Sequence, residues 1–422
     1  MVYVLDTNGK PLMPTERHGK VKHLMRDGKA KVVSRCPFTI QLTYDTPGKT
    51  QPVTLGVDAG SKTVGVSATT ATKELYCAEA KLRNDIVDLL STRRSYRSAR
   101  RNRKTRYRQA RFDNRKKDKG WLAPSVQHKV DSHLKLVAET HKILPITKII
   151  VEVAAFDIQK IKNPDISGVE YQQGEQLNFW NVREYVLFRD GHKCRHCKGK
   201  SGDKILNVHH IESRKTGGDA PGNLITLCET CHGKHHKGGI ELKARRGQSF
   251  RDAAFMGIMR WAFYGKLKEL YQDVSHTYGY ITKNTRITHG MEKSHATDAY
   301  CIANNLGAKR NDTIYLQKFV RKSNRQLHKA TINKGGTRKA NKAPYIVHGY
   351  RLFDKVLCKG QEGFVFGRRA SGSFDIRKLD GKKVTASISH KKLELLEYAS
   401  TLLTERNNAT SSPRLKAGVS VA

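Results

Sequence analysis

The chain has 422 residues, a formal net charge of +41 and a pI near 10.0. That length accommodates roughly two to four domains, and so strong a positive field points to nucleic acid or an anionic membrane as partner. No apolar run approaches ~18 residues, which excludes a spanning helix, and the opening MVYVLDTNGKPLMP lacks the basic-then-apolar layout of a secretory signal. Of the eight cysteines, Cys194, Cys197, Cys228 and Cys231 form two C-x-x-C pairs and the others are isolated. This pattern reads as a zinc site in a reducing, intracellular compartment rather than a disulfide framework.

In chain order, residues 1–52 read as a small basic α+β unit: a helix from about Lys20 to Asp27 ended by Gly28, then short strands at Val32–Val33 and Phe38–Leu42. Residues 53–57 (VTLGV) are a buried-strand run, with Val64, Val66 and Ala68 as hairpin partner and Leu75–Ala80 as a third strand. The segment 93–108 (RRSYRSARRNRKTRYR) holds nine Arg or Lys and no apolar stripe. It is no ordinary amphipathic helix. Its arginines suit bidentate phosphate contacts, so Arg93, Arg94, Arg97, Arg100, Arg101, Arg103, Lys104, Arg106, Arg108 and Arg111 are expected to clamp nucleic acid.

A helix follows with Val130, Leu134 and Val137 on one face, then a buried strand at Ile149–Val153. After an interruption, a helix at about 250–272, a strand around Tyr278–Ile281 and a helix from about Ser294 to Asn305 are predicted. Read across the interruption, the order β-β-β, helix, β, helix, β, helix is that of an RNase H-like α/β fold. Beyond a basic loop at 321–342, several short strands with an Asp380-Gly381 turn predict a small β-barrel-like unit, and the tail from residue 405 is expected to be disordered.

The interruption carries chemistry. Two C-x-x-C pairs fit a tetrahedral, structural Zn²⁺. Between and after them stand His209-His210, Asn223 and Cys231-His232-x-x-x-His236, an arrangement specific to ββα-metal (HNH) nucleases. His210 is the expected general base. His209, facing the other way on a strand, would bind a divalent cation with His232 and His236, which share a helical face. Asn223 would brace the loop that positions the base.

A second set surrounds the first. Asp58 ends a strand in LGVDAG, Glu152 lies in the KIIVEV strand, and His295 and Asp298 sit i, i+3 on a helix. A buried Glu152 would be costly without a cation. Three carboxylates from separate elements suit two Mg²⁺ ions about 4 Å apart, with His295 as base or water-orienting group.

The split acids around an HNH insertion, the Arg-rich run and Pro11-Leu12-Met13-Pro14 together resemble the IscB family of transposon-encoded, RNA-guided DNA endonucleases, relatives of the CRISPR type II effectors. The resemblance implies a PLMP domain at 1–52, RuvC-like segments at 53–84, 120–160 and 246–310, and a bridge helix at 85–119. It further implies an HNH domain at 161–245, a domain reading a target-adjacent motif at 311–404, and a tail at 405–422. Asp58, Glu152, His295 and Asp298 would cut the displaced strand, and the HNH residues the guide-paired strand. The implied partners are one ωRNA guide per protein and double-stranded DNA, with Mg²⁺ at both sites, in the prokaryotic cytoplasm at the nucleoid. A protein-only homing or restriction endonuclease is the alternative, although no helix-turn-helix is visible. A non-catalytic RNA-binding scaffold would tolerate loss of Asp58 or His210.

Overall fold

The computed structural model describes residues 1–101, 120–153, 181–214, 218–247, 251–321 and 344–408, with 176, 178 and 179. Contacts divide the chain into two compact units, Met1–Ala154 with Met256–Ala422, and Ala155–Phe255. The insertion seen in the sequence is therefore a structural unit of its own.

The first unit begins with β1 (Tyr3–Leu5), α1 (His18–Arg26), β2 (Ala30–Arg35) and β3 (Phe38–Leu42), a three-stranded sheet in the order β1-β3-β2. Tyr3 fastens it to the next sheet: its hydroxyl donates to Leu75 O at 3.0 Å and its ring meets Tyr76 edge-on.

Next come β4 (Thr54–Asp58), β5 (Thr63–Thr69) and β6 (Glu74–Lys81), an antiparallel meander whose residues are buried almost without alternation. Such strands carry cover on both faces. Helix α2 (Ile86–Arg101) starts seven residues before the basic run, with Ile86, Leu89 and Leu90 half-buried and Arg93, Arg94 and Arg97 exposed. Helix α3 (Pro124–His141), opened by a proline at a position that needs no N–H donor, returns the chain to β7 (Lys148–Val153). Burial alternates along β7, leaving Ile150 and Glu152 on its half-buried face.

In the second unit, α4 (Val182–Arg189) precedes a hairpin of β8 (Leu206–His210) and β9 (Leu224–Cys228), followed directly by α5 (Glu229–His236). Its core is small: Ile225 and Leu227 with the four paired cysteines, flanked by Leu206, Ile211, Ile240 and Leu242.

Helix α6 (Arg251–Leu270) leads into β10 (Val274–Tyr278), α7 (Gly279–Thr288), α8 (His295–Ala303) and β11 (Thr313–Phe319). The strand predicted at Tyr278–Ile281 is displaced: β10 ends at Tyr278 and Gly279 already opens a helix. Helix α8 is capped by the Ser294 hydroxyl, which accepts from Thr297 N, and ends at Asn304 in the left-handed region.

The strands β12 (Lys355–Cys358), β13 (Gln361–Arg368), β14 (Ser373–Arg377), β15 (Lys383–Ser389) and β16 (Leu393–Glu397) form an antiparallel sheet in the order β15-β14-β13-β12-β16. The expected barrel does not close among the described residues. Strand β15 buries only Ile388, so curling it against β16 would cover little apolar surface. The chain then returns through β17 (Leu402–Asn408) to pair antiparallel with β11.

The large sheet reads β10-β7-β4-β5-β6-β11-β17. Two expected boundaries move as a result. Residues 313–319 and 402–408 belong to this sheet rather than to the C-terminal unit, and the chain remains ordered as a strand to Asn408 instead of fraying from 405. The polar sequence of β17 hid it, because an edge strand is held by its backbone ladder and leaves one side to solvent. Residues 409–422 lie outside the described residues.

Candidate active sites

The first site lies in the large sheet. Strands β4 and β7 run parallel with Val57 beside Val151, so the next residues, Asp58 and Glu152, end up on neighbouring strands. Asp58 also faces Gly65 across β5. Helix α8 lies directly on this spot because Gly56 and Gly65 have no side chains. A Cβ at Gly56 would stand 2.1 Å from Ala299 O, and one at Gly65 1.9 Å from His295 O. The close approach brings His295 Nδ1 to 2.6 Å from Asp58 Oδ2. Glu79 on β6 accepts from Ala296 N at 3.0 Å and fixes the start of the helix.

Two arginines that the sequence reading missed hold the other acids. Arg260 of α6 donates through Nε to Ala59 O at 2.8 Å and sets Nη2 3.3 Å from Glu152 Oε1. Arg286 of α7 has Nε 2.9 Å from Asp298 Oδ1, an ion pair without hydrogen-bond alignment that leaves this buried oxygen with no hydrogen-bond partner. Burial and the charge of Asp58 raise the pKa of both Glu152 and Asp298. The hydrogen bond to Asp58 raises that of His295, against the opposing effect of burial. The three carboxylates supply hard oxygen donors of the kind that hold a divalent cation, one of them orphaned, and each carboxylate has a basic side chain beside it. The oxygens of Asp58, Glu152 and Asp298 are not among the described sets that converge within 4.8 Å, and Arg260 and Arg286 engage two of the three.

Behind the site, His133 of α3 is fully buried, with Nδ1 2.7 Å from Lys129 O and Nε2 3.2 Å from Gly60 O. Burial lowers its pKa to about 4 despite both carbonyls.

The second site lies in the inserted unit. His209 and His210, adjacent on β8, point to opposite sides. His209 meets His232 and His236 of α5, its ring centroid 5.1 Å from each. One nitrogen from each of the three lies within 4.8 Å of the others, and Nε2 of His232 and His236 are 3.2 Å apart. Burial and the surrounding imidazoles push the pKa of His209 down to about 4. Three imidazoles converging in this way are a fitting divalent-cation donor set. His235 is also near, but its Nδ1 lies 3.1 Å from Ile240 O, which favours His236 as the third donor.

On the other side, His210 Nε2 lies 2.8 Å from Asp219 Oδ1, and Asp219 is itself paired with Arg214. Asp219 is a third residue that the sequence did not mark. Asn223 is fully buried: it accepts from Glu212 N at 2.9 Å and donates to Glu212 O and Gly218 O at 3.0 and 2.9 Å. It ties together both ends of the loop beside His210.

One sulfur from each of Cys194, Cys197, Cys228 and Cys231 lies within 4.8 Å of the rest, and all four are free thiols. The set fits a tetrahedral Zn²⁺ that would fasten the turn carrying Cys194 and Cys197 to the junction of β9 and α5. Of the basic run, Arg93, Arg94 and Arg97 are exposed on α2, and Arg100 and Arg101 continue its backbone. Arg103, Lys104, Arg106, Arg108 and Arg111 lie outside the described residues.

Comparison with known families identifies an HNH endonuclease domain at residues 194–238 and a match to the family described as RRXRR protein at residues 2–174. No curated protein matches. Similar solved structures include Streptococcus thermophilus Cas9 in complex with AGAA PAM, at 15% identity, 49% coverage of this chain, 30% of that chain and TM-score 0.32. The same protein with AGGA PAM gives 16%, 43%, 26% and 0.30. The Type II-C Cas9 of Actinomyces naeslundii gives 18%, 44%, 32% and 0.17. The chain thus spans less than a third of the length of these proteins. No helix among the described residues is long and apolar enough to cross a membrane. The chain thus carries an HNH endonuclease domain within its inserted unit.

Proposed function

We propose that the chain is an RNA-guided DNA endonuclease of the IscB type with two separate nuclease sites. Asp58, Glu152, His295 and Asp298 form a RuvC-like site for the displaced strand. His209, His210, Asn223, His232 and His236 form the HNH site for the guide-paired strand. The observation that carries this reading is the 2.6 Å contact between His295 and Asp58, which joins residues on either side of the inserted HNH unit. The strand order β6-β5-β4-β7-β10, with three antiparallel strands followed by two parallel ones, supports an RNase H-like core.

In the HNH site, Asp219 accepts the Nε2 proton of His210 and so leaves Nδ1 as the basic nitrogen that takes a proton from the attacking water. Asn223 holds the loop that carries this pair. His209, His232 and His236 would hold one divalent cation, and Asp58, Glu152 and Asp298 would hold two Mg²⁺. When bound, these ions supply charge stabilisation at the scissile phosphate and the leaving oxygen. His295, oriented by Asp58, positions the water on the carboxylate side. Arg260 and Arg286 balance the charge of Glu152 and Asp298.

The exposed arginines of α2 grip the phosphates of an ωRNA guide, one per protein, and the sheet β12–β16 reads a short motif beside the target. The test is to purify the protein from cells carrying its native locus and sequence the RNA that accompanies it. One discrete structured RNA joined to a variable segment is expected. Heterogeneous RNA, or none, would overturn guidance in favour of a protein-only nuclease.

A further inference from the structure

A cavity of about 510 Å³ lies within the larger unit, bounded by the three-stranded sheet, α3, strands β11 and β17, and strands β12 and β16. Its size falls within the roughly 300–1,000 Å³ of sites that take small ligands. Tyr76, Phe353 and Phe364 contribute to its apolar wall.

The polar wall is left unbalanced. Lys355 is only 3% exposed, and its Nζ spends one of three donors on Glu362 Oε2, 2.8 Å away. Glu397 is the register partner of Lys355 across β12 and β16, and such cross-strand partners share a face. Both residues line the cavity. Glu397 nevertheless forms no ion pair among the described residues, and its buried Oε1 has no hydrogen-bond partner. Gln317, which also lines the cavity, donates through Nε2 to Thr404 Oγ1 at 3.2 Å and leaves a buried Oε1 equally unpartnered. Buried acceptors without donors are costly and uncommon. The wall suits a ligand that sets N–H donors against a carboxylate and an acceptor beside an ammonium.

We propose that this cavity binds the unpaired base of a guanine nucleotide. Guanine presents N1–H and N2–H side by side, which matches the two carboxylate oxygens of Glu397, and its adjacent O6 accepts from Lys355. Adenine and cytosine would turn a ring lone pair towards the carboxylate, and uracil has one donor on that edge. An arginine side chain carries the same paired donors but brings a second positive charge against Lys355. These contacts occupy the Watson–Crick edge, so the base must be unpaired. Tyr398, another lining residue, is 65% exposed, and with Tyr345 it flanks Arg351, whose guanidinium carbon lies 5.3 and 5.7 Å from the two ring centres. Exposed rings and guanidinium planes of this kind stack on splayed-out bases. Lys135 of α3 lines the cavity as well and supplies a cation for the phosphate. The assignment goes beyond the nuclease reading and does not depend on it.

The test uses the full chain and labelled oligo(A) RNA carrying one central guanosine, compared with plain oligo(A) and with the same strand carrying inosine, which lacks the N2 amino group. Direct binding of GMP and AMP is measured beside it. The guanosine should raise affinity roughly 10- to 100-fold over plain oligo(A), and inosine should forfeit about 10-fold of that. Glu397→Gln should abolish the preference and leave plain oligo(A) unchanged. A preference seen in the strand alone assigns the site to a nucleotide within RNA. Binding of GMP over AMP that is lost in Glu397→Gln, with no preference in the strand, assigns it to a free nucleotide. Equal affinity for the three strands together with no binding of GMP overturns the pocket, and this comparison needs no variant. So does a guanine preference that survives Glu397→Gln.

Discussion

His295 Nδ1 lies 2.6 Å from Asp58 Oδ2, a contact between residues 237 positions apart in the chain. Two absent side chains permit it. Gly56 and Gly65 let α8 rest on the backbone of β4 and β5, and this places an imidazole and a second carboxylate over the end of β4.

Gly65→Ala tests that packing directly. Its Cβ would stand 1.9 Å from His295 O, so α8 must shift by an ångström or more. Displacement on that scale costs about 100-fold in rate at a catalytic centre. Cutting of one strand should fall by roughly that factor while cutting of the other is retained, as measured on a denaturing gel with each strand labelled in turn.

Asp219→Asn keeps the shape of the residue but removes the charge that orients His210. Activity on the HNH-cut strand should drop about 10- to 100-fold, by analogy with the general weight of acid–base positioning. His210→Ala should be more severe. Equal activity of Asp219→Asn and wild type across pH 6–9 would remove Asp219 from the mechanism.

Cys228→Ser, or removal of zinc by a chelator, should unfold the inserted unit, whose own core is too small to stand alone. Limited proteolysis should then cleave within Ala155–Phe255 and spare the larger unit. Zinc analysis of the purified protein should give one ion per chain.

Acid should destabilise the larger unit through His133. Its pKa is about 4 when folded, against an ordinary histidine value near 6.5. Between those values the unfolded chain binds the proton and the folded chain does not. Stability is therefore complete above about pH 6.5 and is lost as pH falls towards 4, by up to about 3 kcal/mol. His133→Gln should flatten the dependence of Tm on pH over this window. An unchanged slope would assign the acid sensitivity to another group.

Much of this was legible in the sequence because it is local. The runs around Leu55, Val66, Tyr76 and Val151 emerge as adjacent strands, and the Cys and His spacings converge as their periodicities require. Arg260, Arg286 and Asp219 were hidden because each acts on a partner that is not marked by any spacing rule. Helix α7 was missed because Tyr278, Tyr280 and Ile281 carry strand-like residue types across a strand-to-helix junction. Strand β17 was missed because its polar residues look unstructured, whereas its ladder with β11 holds it in the sheet.

The most direct test of two independent sites is strand-resolved cleavage of one guide-matched duplex by Asp58→Ala and by His210→Ala, each verified to bind the target. The account predicts complementary nicks: Asp58→Ala cuts only the guide-paired strand, and His210→Ala only the displaced one. Loss of both cuts in either variant, with binding intact, would contradict it.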